Sequence, residues 1–224
     1  DRFRQGGSVM LTFALPTGRS LQECIEILEG AGLPVKNLKN HGRNLVIDEG
    51  SFRYLLSKPS DVPAMVHYGA ADLAIAGNDV VEESGISLVE LLDTGRGKCF
   101  MAVAGTKDAA EKFNGNTSSL MGLKVATKYT RIAENTFNSW GVQIKILKLN
   151  GSVELAPALG LSDCIFDIVQ TGSTLKANGL MVIKETAPVS LRLVAGSGSV
   201  QLRWRSMFGV VNAIENYVKG AACA

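Results

Sequence analysis

Cysteine is scarce in this chain, and its four copies, Cys24, Cys99, Cys164 and Cys223, lie far apart with no CxxC pair. That spacing gives no support to a thiolate zinc site, and a disulfide scaffold is not expected in a chain of this length. Cys24, Cys99 and Cys164 are expected to be small buried hydrophobes and Cys223 a tail thiol. The only two histidines, His41 and His67, stand alone, so no His/His or His/Cys metal spacing exists. An excess of one charge is missing as well. The 23 Lys/Arg and 21 Asp/Glu leave +2, too little to imply nucleic acid or an anionic membrane as a partner. No apolar run reaches the roughly 18 residues that span a bilayer, and Asp1 to Ser8 lacks the apolar centre of a signal peptide. The expectation is therefore a cytoplasmic globular protein. Its 224 residues, 46% hydrophobic and 20% charged, suffice for one large domain or two smaller ones.

What is present alternates. Leu11 to Pro16 reads as a strand closed by Pro16-Thr17-Gly18-Arg19, and Ser20 to Glu29 repeats Leu21, Cys24, Ile25 and Leu28 at helical spacing. Ser20 with Glu23 suggests a capping box there. Leu45 to Asp48 and Phe52 to Leu56 read as strands around the turn pair Glu49-Gly50. A helix opens at Asp61-Val-Pro63, a strand covers Asp72 to Ala76, and Gly77-Asn78-Asp79 starts a further helix. Strands follow at Cys99–Ala104, Leu123–Thr127, Val142–Leu147, Cys164–Val169, Leu180–Glu185 and Ser190–Ala195. Helices are predicted from about Tyr129 to Trp140 and from about Gln201 to Val218. Such alternation implies an α/β fold with mostly parallel sheets, whose ligands sit beyond the carboxyl ends of the strands.

One segment carries specific chemistry. From Glu154 the chain reads as a helix, turns at Gly160, runs through the apolar strand Cys164–Val169 and breaks into Thr171-Gly172-Ser173-Thr174 before the helical start at Leu175. Strand, small hydroxyl-rich loop, helix N-terminus is an arrangement that binds phosphate. Glycine allows close backbone approach, while free N–H groups and hydroxyls donate to the anion. Asp167, a carboxylate inside the strand, suits ribose hydroxyls or the water around a metal ion. The bland reading of the loop is a strand–helix turn capped by Thr or Ser.

The spaced set Glu154, Gly160, Ser162, Ile165, Asp167, Thr171, Gly172, Thr174 and Leu175 resembles the signature of ATP phosphoribosyltransferase in its short form. Pro16-Thr-Gly-Arg19, Arg43 to Asp48, Lys58 to Val62, Gly69 to Asp72, Val125 to Tyr129 and Leu149-Asn-Gly-Ser152 extend the resemblance from about Leu11 to Val218. The resemblance implies a two-domain, periplasmic-binding-protein-like cleft fold. Residues 1–103 with 188–224 would form the first domain, on the ATP side; 104–187 would form the second, with the phosphoribosyl pyrophosphate loop. It implies the first step of histidine biosynthesis, transfer of phosphoribosyl from phosphoribosyl pyrophosphate to N1 of ATP. It also implies Mg²⁺ held mainly through substrate phosphates, homo- and hetero-oligomers, and a separate regulatory subunit similar to a histidyl-tRNA synthetase. Competing readings are a ligand-binding module on the same fold or an inactive paralogue. Thr17 and Asn78 stand where the family usually has lysine.

The roles that follow from the resemblance are these. Arg19 and Arg43 face the departing pyrophosphate charge. Thr171, Gly172, Ser173, Thr174 and Leu175 cradle the 5-phosphate. Glu154 and Asp167 hold ribose hydroxyls or metal-bound water. Lys128 and Tyr129 flank the substrate, Tyr129 either stacking on adenine or capping the domain interface. Arg53 is expected to be solvated.

Overall fold

The structure, a computed structural model, describes residues 10–113 and 115–222; Cys223 lies outside them. The chain divides into two compact units, leaving the first after Gly97, completing the second from Lys98 to Val189, and returning at Ser190. The sequence placed these crossings a few residues away, at 103/104 and 187/188. Strands Cys99–Gly105 and Met181–Val189 pair along their length, and this keeps both whole within the second unit.

In chain order the first unit begins with β1 (Leu11–Pro16), α1 (Arg19–Gly30), α2 (Lys36–Lys39), β2 (Val46–Glu49) and β3 (Phe52–Ser57). It continues with α3 (Val62–His67), β4 (Leu73–Gly77), α4 (Asn78–Ser84) and β5 (Val89–Asp93). The second unit holds β6 (Cys99–Gly105), α5 (Lys107–Phe113), β7 (Lys124–Thr127), α6 (Thr130–Ser139), β8 (Lys145–Lys148), α7 (Leu155–Ala158), β9 (Cys164–Val169), α8 (Ser173–Ala177) and β10 (Met181–Val189). The chain then returns as β11 (Leu191–Ala195) and the long α9 (Ser197–Ala222).

The first sheet has the order β2-β3-β1-β4-β11-β5 and the second β10-β6-β9-β7-β8. Within them β3, β1 and β4 run parallel, as do β9, β7 and β8. The remaining pairings are antiparallel, so the mostly parallel sheets expected from the alternation are in fact mixed. The reason is local. The two-residue turn Gly50-Ser51, with Gly50 at φ 63°, can join β2 and β3 only as a hairpin. The strands that carry the chain out of and into each unit, β5 and β11, β6 and β10, also run against their neighbours.

Each sheet buries both faces, and strand alternation sorts the side chains by size. In the first unit Phe13, Leu15, Leu73, Ile75 and Leu193 pack on one face under α1 and α9. Ala14, Ala74 and Ala76 line the other under α3. In the second, Met101, Val103, Val125 and Phe166 face α6, while Ala102, Ala104, Ala126 and Ile165 face α7 and α8. Alanines on the second face let short helices sit close to the backbone.

The helix start at α1 differs from expectation. Gly18, at φ 84° and ψ −148°, is the N-cap, no side chain caps the helix, and Ser20 lies inside it. Cys24 and Cys164 are buried as expected, and Cys99 is half-buried. His67 ends α3 on the surface, and His41 lies half-buried in a loop.

Candidate active site

In the first unit, parallel register brings the ends of β1, β3 and β4 to one sheet edge. The turn after β1 carries Thr17, Gly18 and Arg19, and Lys58 follows β3. β2 runs against β3, and Leu45 O accepts from Leu56 N at 2.8 Å. Arg43, two residues before Leu45, therefore reaches the same edge. Arg19 is the first residue of α1, is exposed, and no acidic residue occupies that helix's first turn. A cation at the positive end of a helix costs about 0.3–1 kcal/mol. An arriving anion turns that cost into attraction to both the guanidinium and the free N–H groups. Arg43 is exposed too, and among the described residues neither arginine has an ion-pair partner. Arg53 is spoken for by a bidentate pair with Asp48, Nε–Oδ1 2.6 Å and Nη2–Oδ2 2.8 Å, which holds the Asp48 carboxyl below its ordinary value.

The two positions that depart from the family's lysines have other uses. Thr17 N donates to Ser57 O at 2.7 Å. Asn78 Oδ1 accepts from Ser190 N at 3.0 Å, while Asn78 N donates to Ser190 O at 3.1 Å. Asn78 thus ties the start of α4 to the point where the chain re-enters the unit.

In the second unit the register sets three loops side by side. Thr127 pairs with Lys148 on β8, and Ala126 with Ile165 on β9. Counting on, Lys128, Leu149 and Asp167 stand level, with Leu149 N donating to Thr127 O at 3.0 Å. Beyond that level lie Asn150–Ser152 after β8 and Thr171–Thr174 after β9. Asp167 shares a strand face with Ile165 and Val169, the face packed by α7 and α8. Glu154 is the half-buried N-cap residue of α7, whose Ala156 packs on that same face, so both carboxylates belong to one side of the sheet. Asp167 Oδ1 accepts from Ile168 N at 2.8 Å.

The loop itself is a left-handed turn flanked by hydroxyls. Gly172 is left-handed at φ 71°, ψ 4°, and caps α8. Thr171 Oγ1 and Ser173 Oγ lie 2.9 Å apart, and Ser173 N donates weakly to Thr171 Oγ1 at 3.4 Å. Thr171, Ser173 and Thr174 are exposed, whereas the Leu175 side chain is buried in the core under α8. Leu175 therefore serves the loop as its anchor. Tyr129 is only 4% exposed and packs in the core under α6, with Lys128 Nζ 4.5 Å from its ring centroid. A ring so covered has no free face for adenine, which corrects the stacking role; Lys128 remains at the surface above it. Gly160 and Ser162 precede β9, at the opposite end of that strand from the loop. These two signature positions belong to the framework.

Sequence reasoning assigned nothing to Ser152. Among the described residues it is the only non-glycine with positive φ, at 50°, a conformation that disfavours a side chain by roughly 1–2 kcal/mol. Position after a strand, in a loop rich in Asn, Gly and Ser, was the signal that would have found it.

Two α/β units entered and left by two crossings define a class of fold shared with solute-binding proteins. The substrate-binding protein of an amino acid ABC transporter overlays with TM-score 0.60 at 11% identity, covering 94% of each chain; that likeness is one of fold alone. The sequence is more specific. Residues 58–216 match the ATP phosphoribosyltransferase family, and this chain belongs to that family. It is 42% identical over 213 residues to the ATP phosphoribosyltransferase of Lachnospira eligens, covering 93% of this chain and 97% of that one. The ATP phosphoribosyl transferase (HisG:HisZ) complex from Thermotoga maritima contains a chain that overlays with TM-score 0.79 at 27% identity, covering 94% of this chain and all of that one.

Proposed function

We propose that this chain transfers the phosphoribosyl group of phosphoribosyl pyrophosphate to N1 of ATP, releasing pyrophosphate, as the first step of histidine biosynthesis in the cytoplasm. The observation that carries the reading is the left-handed Gly172 turn with its hydroxyls, set just beyond Asp167 at the end of β9 in a chain of this family. The turn receives the 5-phosphate on the N–H groups of Gly172, Ser173 and Thr174 and on the hydroxyls of Thr171 and Ser173. Glu154 and Asp167 hold the ribose hydroxyls and orient C1.

The N1–C1 bond forms as the C1–O bond breaks, and the bonding electrons leave with pyrophosphate. Charge therefore develops on the leaving group, where preorganised cations are worth most. Arg19 and Arg43, without an ion-pair partner among the described residues, are the cations proposed for that role, and Arg19 acts together with the α1 N-terminus. Lys128 adds a cation beside the phosphoribosyl group.

The family works with a divalent metal ion, and magnesium is the ion proposed here. The donors at the second unit's edge are carboxylates and hydroxyls, which suit a hard cation. Such an ion usually keeps several waters and is held by one or two carboxylates together with substrate phosphates. When bound, the ion neutralises phosphate charge; Glu154 and Asp167 would hold it through water.

A separate regulatory subunit similar to a histidyl-tRNA synthetase is the proposed partner, in a hetero-oligomer built on copies of this chain. The likeness to a chain of the HisG:HisZ complex supports it. The test is the absorbance of the phosphoribosyl-ATP adduct on mixing ATP, phosphoribosyl pyrophosphate and magnesium, with and without such a subunit. Adduct formation is expected with the subunit. No adduct under either condition would leave an inactive paralogue.

A further inference from the structure

We propose that Ser152 contacts the substrate: its hydroxyl donates a hydrogen bond to the phosphoribosyl group, and its left-handed backbone is retained to present it. This rests on the phosphoribosyl transfer proposed above. Every other described residue with positive φ is a glycine, the residue that occupies this region without steric conflict. Here the left-handed position falls on Ser152, although Gly151 is its neighbour. Serine is not among the residues enriched there, which are asparagine, aspartate and histidine.

The usual structural reasons for a serine fail. A capping serine would accept a hydrogen bond from the next helix's N–H groups, but the N-cap of α7 is Glu154 and no side chain caps that helix. Among the described residues the Ser152 hydroxyl has no hydrogen-bond partner, and the residue is exposed. What the serine costs in backbone strain is thus not recovered inside the chain.

Its placement names the ligand. Ser152 ends the turn after β8, and the register that levels Leu149 with Lys128 and Asp167 sets this turn on the same edge of the same sheet as the Thr171–Thr174 loop, across the end of β7 from it. Ser152 O also accepts from Leu155 N at 3.2 Å, so the strained residue opens the helical turn that presents Glu154. A hydroxyl there, two residues before Glu154, joins that carboxylate at the ribose end of a phosphoribosyl group whose phosphate lies at Thr171.

The experiment compares wild type with Ser152→Gly and Ser152→Ala, each with its regulatory subunit. The readouts are thermal midpoint, titration calorimetry with phosphoribosyl pyrophosphate and magnesium, and separate Michaelis constants for the two substrates. Ser152→Gly relieves the strain and removes the hydroxyl. Its midpoint should match or exceed wild type, while affinity for phosphoribosyl pyrophosphate falls about tenfold, as loss of one charge-assisted hydrogen bond implies. The Michaelis constant for ATP should change less than twofold. Ser152→Ala keeps the strain and should lose the same affinity, and it carries the reading alone if the glycine variant folds poorly. If wild type forms adduct and both variants bind phosphoribosyl pyrophosphate as wild type does, this inference is wrong and the transferase reading stands. If wild type neither binds phosphoribosyl pyrophosphate nor forms adduct, both fall.

Discussion

Gly172 shows how much of the site rests on one backbone conformation. At φ 71° it turns the chain from the end of β9 into α8, and a Cβ there would meet only Val169 Cγ1 at 3.9 Å. Space inside the protein therefore tolerates a side chain, whereas the backbone angle and the anion do not. Gly172→Val is expected to fold with a midpoint lowered by several degrees, from roughly 1–3 kcal/mol of strain. It should give no heat of binding with phosphoribosyl pyrophosphate. Unchanged affinity in the folded variant would remove the cradle assignment. Arg19 and Arg43 answer to a different measurement. Acting on charge that develops in the transition state, their replacement by alanine should lower kcat more than it raises either KM. A change confined to KM would mean that they bind ground-state phosphate only.

At the scale of elements, α9 is the piece whose placement needs explanation, because it is far in sequence from the sheet it covers. Arg203 does much of the fixing. Its Nη1 lies 2.5 Å from Asp72 Oδ1 and its Nη2 donates to Met10 O at 2.7 Å, while Asp72 Oδ2 accepts from Thr12 N at 2.9 Å. One arginine thus clasps the amino ends of β1 and β4. Further along, Tyr217 packs where a side chain on Gly30 would overlap its ring, which explains glycine at the end of α1. Arg203→Met strands a carboxylate that is 7% exposed. The cost is set near 2–3 kcal/mol, at or below the lower end for a broken buried pair, because the arginine is partly solvated. Urea unfolding should show this as a lower midpoint, and the double variant with Asp72→Asn should recover part of it. If the single variant were as stable as wild type, α9 would be held by apolar contacts alone.

For the molecule as a whole, pH gives a prediction with a definite sign. Burial pushes the Cys164 thiol up to about 12, with Asp163 adding to it, and raises Cys24 and Tyr54 further. Above about pH 8.5 the unfolded chain loses the cysteine protons, and above about pH 10 the tyrosine proton, while the folded chain keeps them. The folded state then binds more protons than the unfolded one, so stability falls as pH rises. Equilibrium unfolding between pH 8 and 11 should show that decline, and Cys24 and Cys164 should resist alkylation until the protein unfolds. A flat profile would contradict the burial. Regulation also belongs to this scale. Histidine inhibits only by binding one state of an assembly better than another. The chain alone is expected to be insensitive to millimolar histidine and to respond in complex with the proposed regulatory subunit. Inhibition of the lone chain, competitive with neither substrate, would place an allosteric site within these 224 residues.

What the sequence determined by itself was whatever depends on neighbours along the chain. β1 and β9 were legible to the residue from their apolar runs and bounding turn residues. The turn at Thr171-Gly172 was legible because its signal is local, although α8 begins at Ser173 and not at Leu175. β5 and α2 were not, since Val89–Asp93 becomes a strand only by lying against β11, a partner about a hundred residues away. Pairing also decided strand direction: periodicity marks a strand but not its neighbour, so sheets read as mostly parallel proved mixed. Tyr129 shows the same limit within the site. An aromatic after a strand reads equally as a platform for adenine or a cap on the domain interface, and packing with Phe137, Phe166 and their neighbours places it instead in the core of the second unit. The strain at Ser152 lay further out of reach, because a dihedral angle belongs to the folded turn. Local chemistry was written in the sequence; direction, burial and strain came from contacts between residues distant along it, which only tertiary structure brings together.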